Sequence, residues 1–138
     1  MKVVLDVNIL ASASVFPDRK PAIVLRMAME NDSELIFSEP IMKRLSIVLT
    51  RRYFAERLSD ASRLRFLDDL RFASDMEEPD PAVRGVAPDL EDDLVLGTAV
   101  AAHADFLVTG DKRFLALKEY HGVRIVSAEE FLTEMERA

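Results

Sequence analysis

Three aspartates stand at points in the sequence where folding could gather their carboxylates. Asp6 follows the apolar run 3–5, Asp111 follows the apolar run 106–108, and Asp92 lies at the start of the segment leading into that second run. The carboxyl ends of parallel strands lie along one edge of a sheet, so acids distant in sequence can meet there. Carboxylate oxygens suit hard cations such as Mg²⁺, and a bound metal supports displacement at phosphorus.

Each acid also has a simpler explanation when it is taken alone. Asp6 could cap a strand end, Asp111 could serve a turn, and Asp89, Asp92 and Asp93 could complement a helix dipole. Asp6 is the hardest to explain in this way. It continues a run that should be buried, and a buried carboxylate needs a partner.

Other polar residues near these acids have smaller expected roles. Asn8 is a candidate N-cap of the first helix or hydrogen-bond partner of Asp6, and Thr109 is a strand-end residue that could support the site. His103 and His121 are isolated, and nothing nearby suggests a catalytic triad. With 4 glycines, the chain has no glycine-rich phosphate loop.

Charge and composition place limits on the class of protein. The net charge is −7, and 138 residues without cysteine predict one domain, residues 1–138, in a reducing cytoplasm. Residues 43–71 hold eight basic and four acidic side chains, whereas residues 75–93 hold one basic and eight acidic ones. A basic region beside an acidic one suits a protein that binds cations and phosphates, although two solvated helix faces would give the same pattern. No apolar run is long enough for a membrane span.

Apolar runs without polar alternation alternate with helical patterns along the chain. Strands are predicted at Val3–Leu5, Glu34–Phe37, Asp105–Thr109 and Val123–Val126, with a short one after Asp75. Helices are predicted at Ile9–Val15, Ala22–Glu30, onward from Ser38, at Asp60–Ala73, at Asp89–Ala102, around Leu115 and Leu117, and from Ser127 to about Glu136. This order predicts an α/β fold, a three-layer α/β/α sandwich with a mostly parallel central sheet.

Three helices carry further signals. Ser127 and Glu130 form a capping box. Two other helices have apolar stripes that should face the core. One stripe consists of Ile41, Leu45, Val48 and Leu49, and the other of Leu64, Leu67, Leu70 and Ala73.

Taken together, three segments resemble the PIN-domain family. They are Val3-Val4-Leu5-Asp6-Val7-Asn8-Ile9-Leu10, Asp89-Leu90-Glu91-Asp92-Asp93 and Phe106-Leu107-Val108-Thr109-Gly110-Asp111. The similarity continues through residues 38–54 and the closing residues 124–132, so it covers nearly the whole chain in order.

The resemblance implies a Mg²⁺- or Mn²⁺-dependent ribonuclease with a PIN-like fold. Many members are VapC-like toxins that cut RNA, dimerise and are silenced by a small antitoxin protein. Asp6, Asp92 and Asp111 match the family's catalytic, metal-binding acids. Asn8, Thr109, Asp89 and the adjacent Asp93 fall at supporting positions.

One departure concerns the helix after the second strand, where the family usually has a glutamate and this chain has Arg44. Glu39 lies five residues away and about 140° around the helix, so it does not replace the missing acid. Arg44 should weaken metal binding, and it could either hold an RNA phosphate or block the site.

Three functions are compatible with the sequence. The first is an active endoribonuclease. The second is a catalytically degenerate PIN domain that binds RNA or a protein without cutting. A third, a phosphotransfer domain with Asp6 as nucleophile, has less support because Asp6-Val7-Asn8 lacks a second aspartate.

Overall fold

The computed structural model describes residues 1–30 and 32–137. Within those ranges there are six strands and eight helices. The strands are β1 (Lys2–Leu5), β2 (Glu34–Phe37), β3 (Asp75–Met76), β4 (Phe106–Val108), β5 (Glu119–Tyr120) and β6 (Val123–Val126). The helices are α1 (Val7–Val15), α2 (Lys20–Ala28), α3 (Glu39–Val48), α4 (Arg52–Ala55), α5 (Asp60–Ala73), α6 (Leu90–Ala101), α7 (Lys112–Leu115) and α8 (Ala128–Arg137).

The strands form one sheet in the order β3-β2-β1-β4-β6-β5, and every pairing is parallel except that of β5 with β6. Successive side chains of a strand point to opposite faces. Val3, Val4 and Leu5 are all buried, so the central strand is covered on both faces. The predicted α/β fold with a mostly parallel sheet between helices is therefore confirmed.

The strand order reverses between β1 and β4. The chain leaves β1 towards β2 on one side and leaves β4 towards β6 on the other, while Leu5 and Val108 stand opposite each other in the ladder. Such a reversal opens a crevice at the carboxyl ends of the two strands. Asp6 and Thr109 are the next residues along each strand, and both are buried there.

Most predicted elements are present, but the N-cap predicted for the first helix is wrong. Asp6, not Asn8, is the N-cap of α1, because its extended backbone precedes Val7 and its carboxylate accepts the Val7 N–H. Asn8 therefore lies inside the helix and is exposed. The second helix starts at Lys20, two residues before its predicted start, with Pro21 in its first turn.

The predicted stripe of α5 is largely wrong although the helix has the predicted bounds. Leu70 is buried and Leu67 packs partly on the core, but Leu64 is 58% exposed and Ala73 lies on the surface. The helix contacts the core along a narrow edge, so helical spacing alone overstated its buried face. The short elements α4 and β5 were not predicted.

Two capping predictions are confirmed. Ser38 accepts the N–H of Ile41 at the start of α3. Ser127 accepts the N–H of Glu130, whose carboxylate accepts the Ser127 N–H in return, each at 3.0 Å. Across residues 1–30 and 32–137, no helix has the length and apolar character needed to cross a membrane.

Candidate active site

Asp6 is held firmly at the carboxyl end of β1. Only 5% of the residue is exposed. Its backbone N–H donates to the carbonyl of Val108 at 2.9 Å, so the β1–β4 ladder continues past the last strand residue. One carboxylate oxygen accepts the Val7 N–H at 2.8 Å and the other accepts the Thr109 hydroxyl at 2.7 Å. These contacts fix the carboxylate at the crevice between the two strands.

Thr109 joins two of the predicted site acids. Besides donating to Asp6, its hydroxyl oxygen accepts the backbone N–H of Asp111 at 3.2 Å. Asp111 is the N-cap of α7, and its carboxylate accepts the N–H of Arg113 at 2.8 Å. The buried Thr109 hydroxyl therefore holds the Asp6 carboxylate close to the turn that carries Asp111.

Asp92 comes to the same edge from the first turn of α6. Asp89 caps this helix by accepting the Asp92 N–H at 2.8 Å. Burial, together with the negative charges of Asp6, Asp89 and Asp111, raises the pKa of Asp92 to about 7 against the opposing effect of Arg44. A proton or a cation is therefore favoured at this carboxylate near neutral pH.

The pKa of Asp6 is also raised, in the first place by burial. Hydrogen bonds from Thr109 and Val7 and the charge of Arg44 lower it, while Asp111 raises it. Asp6, Asp92 and Asp111 are thus close enough to repel one another, as the sequence predicted. The structure brings the three acids to one edge of the sheet from β1, α6 and the loop after β4.

The donor set fits a hard divalent cation by its chemistry. It consists of carboxylate oxygens whose mutual repulsion a cation would relieve. The side chains do not form a ready-made cage. In the part of the chain that the structure describes, no three His, Asp or Glu side chains are gathered closely enough to hold a metal ion. The metal-binding role of these acids stays a prediction.

Asp93 does not face this cluster, contrary to its predicted supporting role. It is buried, and its carboxylate accepts the backbone N–H groups of Gly85, Val86 and Ala87 at 2.8, 3.1 and 2.8 Å. Burial raises the pKa of Asp93, but these three hydrogen bonds outweigh that effect and hold the pKa below its usual value. Asp93 therefore anchors the loop before α6.

Arg44 extends from α3 towards the acids. Its charge lowers the pKa of both Asp6 and Asp92, and its guanidinium forms an ion pair with Glu91 of α6. Arg44 and Glu91 lie on a groove of 560 Å³ between the two helices. Its apolar and charged lining includes Val7, Pro40, Lys43, Ile47, Arg51 and Leu94.

Glu39 is unavailable to the cluster, as its helical position predicted. Both of its carboxylate oxygens contact Arg71 of α5, at 2.6 and 3.2 Å. The hydrogen bond from Arg71 lowers the pKa of Glu39. Sequence reasoning did not identify Glu91 as the partner of Arg44; the signal was an acid beside Asp92, on the helix that packs against α3.

Comparison with known proteins gives matches at two levels. Residues 2–113 match the family model described as the PIN domain. The fold is similar to the crystal structure of PAE2754 from Pyrobaculum aerophilum, with a TM-score of 0.69, 18% identity and coverage of 100% of this chain and 91% of that one.

It is also similar to the crystal structure of VapBC2 from Rickettsia felis bound to a promoter DNA fragment. That match has a TM-score of 0.65, 16% identity and coverage of 92% of this chain and 98% of that one. No curated protein sequence matches at a significant level. The structural similarities concern the fold, whereas the family match spans Asp6, Arg44, Asp92 and Asp111. The chain belongs to the PIN-domain family.

Proposed function

We propose that this chain is a divalent-metal-dependent endoribonuclease in which Asp6, Asp92 and Asp111 hold Mg²⁺ or Mn²⁺. The observation that carries the proposal is the convergence of three carboxylates at the crevice between β1 and β4. Their burial and mutual repulsion raise the pKa of Asp92 to about 7. A structural role would not need acids that destabilise one another, so a cation is the partner that this arrangement favours.

A bound divalent cation would supply Lewis-acid stabilisation of the charge that develops on the scissile phosphate. The residues of the chain would orient and tune the site. Thr109 holds the Asp6 carboxylate and the Asp111 backbone together, and the Val7 N–H fixes the rotation of Asp6. Asp89 positions Asp92 by capping α6. Asn8, exposed beside Asp6 in the sequence, is a candidate contact for substrate.

RNA is the proposed substrate because a groove lined by three basic and two acidic side chains adjoins the aspartates. The basic residues of the groove lie on α3 and the turn after it, and they are Lys43, Arg44 and Arg51. Val7, which follows Asp6 in the sequence, also lines the groove. Cations in this position attract a phosphate backbone without reading its sequence. The overall charge of −7 opposes general nucleic-acid binding, so the groove would direct RNA to a single place.

Toxin activity restrained by an antitoxin is the biological setting that we propose. The resemblance to VapC-like members and the fold shared with a chain of VapBC2 from Rickettsia felis support it. The same reasoning extends the proposal to a homodimer acting in the cytoplasm.

A second candidate function is favoured by Arg44 itself. A fixed cation beside the carboxylates lowers the pKa of Asp6 and Asp92 and so takes part of the role of a metal. In that case the chain would be a degenerate PIN domain that binds RNA or a protein partner without cleaving RNA. Saturable RNA binding that is indifferent to chelator would distinguish this function.

The test is a cleavage assay on a mixed pool of single-stranded RNA. Purified protein is incubated with Mg²⁺, with Mn²⁺ or with chelator, beside an Asp6→Asn variant that keeps the shape of the side chain and one of its two acceptor oxygens. We expect metal-dependent cleavage that the variant loses. Cleavage in the presence of chelator, or equal cleavage by the variant, would refute the proposal.

A further inference from the structure

The ion pair between Arg44 and Glu91 has an unusual position. It joins α3 to α6 at the rim of the groove, beside the acids at the carboxyl edge of the sheet. Both side chains are partly exposed, so burial does not compel them to pair. Glu91 is also the immediate neighbour of Asp92. Among the described side chains, Arg44 is the cation that affects the pKa of Asp6 and Asp92. The ion pair therefore links this cation to α6, the helix that carries Asp92.

Arg44 has carboxylates within reach on two sides. Its guanidinium could turn inward to ion-pair with Asp6 or Asp92, or outward to Glu91. An inward position would place a positive charge where a divalent cation would bind, and like charges at such distances repel strongly in a partly buried site. Glu91 provides an alternative carboxylate that keeps Arg44 on the groove side of the cluster.

We propose that Glu91 offsets Arg44 and thereby keeps the three-aspartate site able to hold a divalent cation. Glu91 is a positioning residue in this account, because it acts on the metal site through Arg44. The inference rests on the proposed function, since it concerns the cation of that site. It also explains how a metal site can tolerate an arginine beside its carboxylates.

The proposal predicts a specific pattern of Mn²⁺ affinities, measured by calorimetry on purified protein without RNA. Glu91→Gln should weaken Mn²⁺ binding about tenfold, because Arg44 is then free to pair with the aspartates. Arg44→Gln should tighten binding about tenfold. In the Arg44→Gln background, Glu91→Gln should change affinity by less than about threefold, because there is no arginine left to offset.

Two controls separate this coupling from general charge effects. Arg44→Lys keeps the charge and should resemble the wild type. The ion pair of Arg124 and Glu134, at 2.6 Å, joins β6 to α8 away from the groove, and replacing either residue by Gln should leave Mn²⁺ affinity unchanged. Circular dichroism and thermal melting confirm that every variant is folded.

The outcomes distinguish this inference from the proposed function. If Glu91→Gln weakens Mn²⁺ binding equally with and without Arg44, Glu91 acts as a simple nearby charge and the inference is overturned while the function stands. Mn²⁺ binding that appears only after Arg44→Gln would also overturn it, since Glu91 would then have failed to offset Arg44. Absence of Mn²⁺ binding from every variant would refute the proposed function itself.

Discussion

Asp92 and Asp93 are consecutive residues in the same helical turn, yet their environments differ in kind. Asp93 accepts three backbone N–H groups from the loop before α6, and its pKa is lowered. Asp92 is more exposed than Asp93, but burial and then the charges of other acids raise its pKa to about 7. Burial disfavours the charge of both carboxylates. Backbone hydrogen bonds outweigh this effect at Asp93, whereas neighbouring anions add to it at Asp92.

Asp93 therefore stabilises the fold, whereas the negative charge of Asp92 is unfavourable in the folded protein. Asp93 satisfies amide groups that would otherwise need other partners. Asp92 has its charge opposed by Asp6, Asp89 and Asp111, which a structural role does not explain. Unfavourable electrostatics kept at a crevice are typical of a functional site.

The largest effect that we expect is on cleavage, and it should differ between the two neighbours. Asp92→Asn removes a proposed metal ligand and should reduce the rate of RNA cleavage in Mn²⁺ by about a hundredfold or more. Its melting temperature should stay the same or rise, because the repelling charge is gone. A fluorescence assay on single-stranded RNA measures the rate, and a rate within threefold of the wild type would contradict the assignment of Asp92.

The second prediction concerns the stability provided by Asp93. Asp93→Ala leaves the amides of Gly85, Val86 and Ala87 without their acceptor, and should lower the free energy of unfolding by about 2–4 kcal/mol. Urea denaturation measures this change. The matched Asp92→Ala variant should lose far less stability, and equal losses from the two variants would remove the distinction between them.

Whether the sequence can predict the different roles of Asp92 and Asp93 depends on the type of group that each carboxylate contacts. The strand ends at Asp6 and Asp111 and the capping box of Ser127 follow from local patterns, so the sheet and the meeting of the acids could be predicted. The partners of Asp93 are backbone amides, which have no signature in residue types. For that reason sequence reasoning grouped Asp93 with its neighbours.

The same limit applies elsewhere in the fold. Asn8 and Asp6 are both good N-cap residues, and only the backbone shows that Asp6 takes this position. The stripe of α5 has helical spacing, but spacing does not reveal whether another element covers Leu64. Glu91 pairs with Arg44 across two helices, and that contact depends on how α3 and α6 pack.

The third prediction is a dependence of stability on pH. The pKa of Asp92 is about 7 in the folded protein and near 3.8 when unfolded, so between these values the folded state holds the extra proton. The free energy of unfolding should therefore fall as pH rises from 4 to 8, by about 1–2 kcal/mol after allowance for solvent screening. Urea denaturation in chelator should show a smaller fall for Asp92→Asn; an identical fall would contradict the assignment.

The smallest effect that we expect comes from Thr109. Thr109→Val keeps the shape of the side chain but removes the hydroxyl that donates to Asp6 and accepts from Asp111. The free energy of unfolding should fall by about 1–2 kcal/mol. Thr109→Ser keeps the hydroxyl and should recover most of the cleavage rate that Thr109→Val loses. Equal cleavage by the Val and Ser variants would show that the hydroxyl does not position the acids.

The most direct test of the central claim is to locate the cation. Crystals of the wild-type protein grown with Mn²⁺ should give an anomalous scattering peak bounded by the carboxylates of Asp6, Asp92 and Asp111. The same measurement on Asp92→Asn crystals should give a weaker peak or none. A wild-type crystal containing Mn²⁺ with no peak at these three aspartates, or with Arg44 in contact with them in its place, would contradict the account.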